Sequence, residues 1–67
     1  MSGKETIRKA LKDLDIYPAG EVNACQIYKN WAGWHIQRFG QQPWVAGRSV
    51  QEVLDALEEI VESRKER

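Results

Sequence analysis

Residues 22–51 read VNACQIYKNWAGWHIQRFGQQPWVAGRSVQ, thirty positions without a single Asp or Glu. Five of the chain's six aromatic residues lie here (Tyr28, Trp31, Trp34, Phe39 and Trp44), together with Lys29, His35, Arg38 and Arg48. Glycines at 20, 33, 40 and 47 cut this part of the chain into short pieces, which suits strands joined by tight turns rather than a long helix. Residues 22–30 are predicted as one strand, 34–39 as a second and 44–46 as a short third, with turns at Trp31-Ala32-Gly33 and Gly40-Gln41-Gln42-Pro43. A rough helical stripe through Val22, Tyr28, Trp31, Ala32, His35 and Phe39 competes with this reading. Gly33 and the aromatic and β-branched content decide for strands.

The flanks carry clear helical signals. Ser2 and Glu5 have capping-box spacing, and Ile7, Ala10, Leu11 and Leu14 follow at the intervals of one helix face, which predicts a helix over 4–14. Pro18-Ala19-Gly20 is read as its stop. Ser49 and Glu52 repeat the box ahead of Val50, Val53, Leu54, Leu57, Ile60 and Val61, which predicts a helix over 50–63. Two amphipathic helices must cover one face of the sheet, since their stripes have nowhere else to go. The expected fold is therefore a small single α+β domain spanning 1–67. Its order is α-β-β-(β)-α, with a two- or three-stranded antiparallel sheet covered on one face.

The formal net charge of zero conceals polarity. Residues 1–21 are balanced, residues 22–51 carry +3, and residues 52–67 carry −3 from three basic and six acidic side chains. Cys25 is the only cysteine, which precludes an intramolecular disulfide or a cysteine metal cage and suggests a reducing, cytoplasmic home. No apolar run is long enough to span a bilayer, so no membrane association is expected. No glycine loop of phosphate-cradling type occurs, and no cofactor is expected.

Strand alternation assigns the expected faces. Cys25, Ile27, Trp34, Ile36 and Val45 should point to the helices. Gln26, Tyr28 and Asn30, then His35, Gln37 and Phe39, then Trp44, should point away. Lys29, Arg38 and Arg48 would form a cationic rim. Trp31 and Trp34 are read as core or hairpin-stabilising residues, and Tyr28 with Phe39 as a possible cross-strand pair. The expected binding set is thus Gln26, Tyr28, Lys29, His35, Gln37, Arg38, Phe39, Trp44 and Arg48.

Rings among cations, free of carboxylates, are what stacks on bases beside phosphates, so nucleic acid, DNA or RNA, is the leading expected partner. The architecture resembles small sheet-based nucleic-acid binders. Helix-sheet-helix order is also similar to double-stranded-RNA-binding domains. Those engage phosphate through a basic second-helix N-terminus, where this chain offers Arg48 followed by Glu52 and Asp55, so the sheet is the favoured surface. The alternative is a protein-interaction module or homodimer using the same face, because Trp, Tyr and Arg also anchor protein interfaces.

A third reading is a small ribonuclease centred on His35. The helix-strand-helix order with a strand histidine resembles compact toxin-type ribonucleases, whose Gly-Ser-His-His context is replaced here by Ala32-Gly33-Trp34-His35. No catalytic role is carried over from that resemblance, and a non-enzymatic protein is expected. Cys25 reads as a small core residue. Asp55, Glu58, Glu59 and Glu62 read as a solvated helix face.

Overall fold

Helix α1 (Gly3–Asp13) starts on Ser2, whose hydroxyl accepts the Glu5 N–H at 3.2 Å, satisfying one of the orphan donors of a first helical turn. At its other end Asp15 adopts a left-handed conformation (φ 55°). The Asp15 N–H then donates to the Lys12 carbonyl at 3.1 Å and the Ile16 N–H to the Leu11 carbonyl at 3.0 Å. This is a Schellman closure, and the buried pair Leu11 and Ile16 supplies its customary hydrophobic contact. The structure, a computed structural model, describes residues 2–65.

Helix α2 (Ala19–Ala24) corrects the predicted strand over 22–30. The first helix ends at the Asp15 closure, ahead of the expected stop at Pro18-Ala19-Gly20, and Pro18 instead begins the next helix. Its carbonyl accepts the N–H groups of Glu21 at 2.9 Å and Val22 at 3.0 Å, and a proline at a helix start gives up only a donor that would be orphaned anyway. Val22, read as a strand residue, is the one buried side chain of this helix. Arg8 of α1 donates to the Val22 carbonyl, which ties the two helices together.

Strands β1 (Gln26–Asn30), β2 (Gly33–Gln37) and β3 (Trp44–Gly47) form an antiparallel sheet in sequential order. The third strand forms. The second ends two residues short of Phe39, because the Gln41 N–H closes a turn on the Arg38 carbonyl at 3.0 Å. The β1–β2 turn is Trp31-Ala32, with Asn30 Oδ1 accepting the Ala32 N–H at 2.8 Å. Gly33 follows at φ 123°, and a β-carbon there would lie 2.6 Å from the Gly47 carbonyl oxygen. Only glycine can both turn and pack so close to β3 at that point.

Helix α3 (Val50–Lys65) carries the reciprocal capping box in full. Ser49 Oγ accepts the Glu52 N–H, and Glu52 Oε2 accepts the N–H groups of Ser49 and Arg48. Far along the helix, Arg64 donates to the carbonyls of Asp15 and Ile16, both at 3.1 Å.

α1 and α3 lie together on one side of the sheet. Ile7, Leu11, Val53 and Leu57 from the helices meet Ile27, Ile36 and Ala46 from the strands, with Val22 and Ile16 at the margin. Trp34 packs against this core, its ring so close to α1 that a β-carbon on Gly3 would lie 2.9 Å from Trp34 Cζ2. The expected α+β fold, with a three-stranded antiparallel sheet and helices packed on one side, is what forms. Among the described residues no helix is long and apolar enough to cross a membrane.

Candidate docking face

The uncovered side of the sheet is organised around a cross-strand row. Tyr28 pairs with His35 and His35 with Val45. The Tyr28 and His35 rings are stacked, with centroids 4.9 Å apart and planes within 9°. Gln26 opposes Gln37 on the same side. Asn30 Oδ1, already accepting from Ala32, lies 2.8 Å from His35 Nε2. That oxygen can only accept, so Nε2 carries the hydrogen, and in the neutral ring Nδ1 is left as an acceptor. At one end of the row Gln37 donates from Nε2 to the Gln41 carbonyl at 3.1 Å.

The predicted face is thus assembled in part: Gln26, Tyr28, His35 and Gln37 do come together on it. Phe39 lies beyond the end of β2 and is 91% exposed. It helps line a recess of about 100 Å³ with Gln26, Gln37 and Arg38. The cross-strand partner of Tyr28 is His35 and not Phe39.

Trp44 and Val45 exchange the sides expected of them. Trp44 turns toward the helices, packs on the core and donates from Nε1 to the Tyr17 hydroxyl at 3.3 Å, while Val45 is 52% exposed. The cause is the register: Ile36 pairs with Trp44 and His35 with Val45, and a bulge between Trp34 and His35 leaves Ala46 as the extra residue. A shift of one position reverses every side chain. Assigning sides by the apolarity of valine therefore reversed the strand.

The expected cationic rim is not on this face. Lys29 shares its side of β1 with Ile27, and its Nζ sits 5.9 Å from the Trp34 ring centroid on the helix side. Arg38 stacks on Tyr17 at 4.6 Å and pairs with Glu21 at 2.7 Å. Arg48 stands beyond β3, in a groove it shares with Glu52, Asp55 and Glu59. The middle of the open face is consequently neutral.

Sequence reasoning missed two features of the face. Trp31, expected to stabilise the hairpin or the core, is 96% exposed at the tip of the β1–β2 turn. The clue is that a two-residue turn offers a large ring no opposing strand. Val45 was the other, placed by the bulge.

Cys25, between α2 and β1, is buried as expected. Burial raises the pKa of its thiol, opposed in part by the charges of Arg8 and Arg38, so it suits packing rather than nucleophilic attack. No family, curated protein or solved structure matches this chain.

Proposed function

We propose that this protein is a small non-catalytic interaction module, and that the occupant of its open sheet face is a second copy of the same chain. One observation carries the reading. The face presents Tyr28, His35 and Val45 among amides while Lys29, Arg38 and Arg48 are all drawn away from it. Interface centres are depleted in charge and enriched in rings, and a neutral face meets its own copy without the like-charge repulsion that a +3 surface would bring. Gln26 and Gln37 offer both donors and acceptors, so a twofold arrangement can satisfy them reciprocally. Trp31 and Phe39, almost fully in water at opposite ends of β2, supply the large rings that such contacts use as anchors. A cytoplasmic setting belongs to the same proposal, since the single thiol is free and buried.

Single-stranded nucleic acid is the second reading, favoured by the absence of Asp and Glu from residues 22–51. The unpaired rings of Trp31 and Phe39 could each receive a base at roughly 1 to 3 kcal/mol. Sedimentation equilibrium across a concentration series, beside a tryptophan-fluorescence titration with single-stranded oligonucleotides at two salt concentrations, separates the two. The dimer reading expects a dimeric mass that reverts to monomer in Tyr28→Ser and no response to oligonucleotide. A monomer at every concentration overturns it. Quenching that weakens with salt would instead install nucleic acid on the face.

A further inference from the structure

The sheet has two free edges, and they are treated differently. Along β1 the exposed Lys29 stands at the edge, a common guard against addition of a further strand. β3 pairs only with β2, contains no lysine or proline, and borders a groove of about 550 Å³ shared with α3. Val45, Ala46 and Gly47 form the strand wall of this groove, and Asp55, Ala56 and Glu59 form the helix wall. Ala46 is buried, and a β-carbon on Gly47 would lie 2.8 Å from Glu52 Cβ and from the Val53 backbone nitrogen, so α3 itself closes this end of the junction.

From these features we propose that the groove takes an extended basic peptide, added to β3 as a fourth strand. The unpaired N–H and C=O groups along β3 provide the ladder, as in other strand-addition complexes. Three carboxylates, Glu52, Asp55 and Glu59, line the groove against one cation, Arg48, and set its chemistry. Glu52 is committed to the α3 cap, where its Oε2 holds the Arg48 and Ser49 N–H groups. Asp55 receives one hydrogen bond from Gln51 at 3.0 Å and retains further acceptor capacity. Glu59 has no side-chain hydrogen bond or ion pair among the described residues. Asp55 and Glu59 are four residues apart on α3, a rise of about 6 Å. Alternate residues of a strand recur every 6.6 Å or so, on the same scale. A peptide with Arg or Lys at i and i+2 can therefore pair each cation with one carboxylate. The intervening side chain falls on the other side of the sheet, beside Val45, and should be apolar. The bulge at Ala46 limits the regular ladder, so the peptide is short. Val45 borders both this groove and the open face, but the proposal does not require the chain to dimerise.

The test uses an acetylated, amidated pentapeptide, Arg-Val-Arg-Val-Arg, titrated into the full chain with amide shifts followed by NMR and affinity by calorimetry. Shifts are expected at Val45, Ala46 and Gly47 and at Ala56 and Glu59. Asp55→Asn with Glu59→Gln should weaken binding about tenfold, backbone N-methylation of the peptide should abolish it, and Glu-Val-Glu-Val-Glu should not bind. Repeating the titration on Tyr28→Ser separates the groove from the face: binding retained there supports the groove whether or not the chain dimerises. No shift at peptide concentrations of about 1 mM overturns the proposal. So does undiminished affinity in the double variant, as do shifts confined to Tyr28 and His35, or a β3 edge occupied by a second copy of the chain.

Discussion

Ile36 and His35 are neighbours on the same strand and belong to different chemistries. Ile36 has no exposed surface and sits among Ile7, Leu11, Val53 and Leu57, whereas His35 looks outward and stacks on Tyr28. The sheet thus divides its labour by side: one face holds the molecule together, and the other is left with rings and amides that contribute little to that task. In a chain this short the division has consequences, because a single small core supplies only about 3 to 5 kcal/mol.

The sharpest way to break the comparison is to truncate each neighbour in turn. Ile36→Ala should cost about 3 kcal/mol, enough to bring the domain close to unfolding at room temperature. His35→Ala should cost about 1 kcal/mol, the value of one stacked pair and one hydrogen bond. Urea denaturation followed by circular dichroism measures both, and similar midpoints for the two variants would contradict the division. Between those two in size is Gly33→Ala, where a left-handed φ and a 2.6 Å approach to the Gly47 carbonyl oxygen combine. A loss of about 2 kcal/mol is expected, and an unchanged melting temperature would show that β3 can give way there. The smallest effect belongs to Trp31→Ala. Measured at concentrations too low for association, its stability should stay within about 0.5 kcal/mol of the parent, although the largest aromatic side chain on the surface has gone. A larger loss would place Trp31 against the fold after all.

The two outer helices were legible because their signals are local. Ser49, Glu52 and the Val53–Leu57 spacing define α3 within a few residues, and each cap is made by the side chain that the spacing singled out. α2 was not legible, because Pro18, read as a terminator, caps the start of the next helix instead, and the tie from Arg8 that holds that helix is tertiary. The candidate face was half legible. Alternation placed Gln26, Tyr28, His35 and Gln37 correctly, since β1 and β2 run in strict register. It failed on β3, where one bulged residue exchanges Trp44 and Val45. The cations were misplaced for different reasons: a formal charge in the sequence carries no record of Tyr17 and Glu21, the partners that hold Arg38, while the alternation that puts Lys29 on the side of Ile27 was not applied to the rim.

Arg64 reaches back to two carbonyls 48 and 49 positions earlier in the chain. During synthesis, therefore, the exit of the first helix stays unfastened until residue 64 has emerged. Any nascent fragment that stops before α3 would also lack Val53 and Leu57 and could not close a core. Folding is then an all-at-once event that waits for α3, and a nascent chain stalled before that helix would be a substrate for chaperones or proteases rather than a half-built domain.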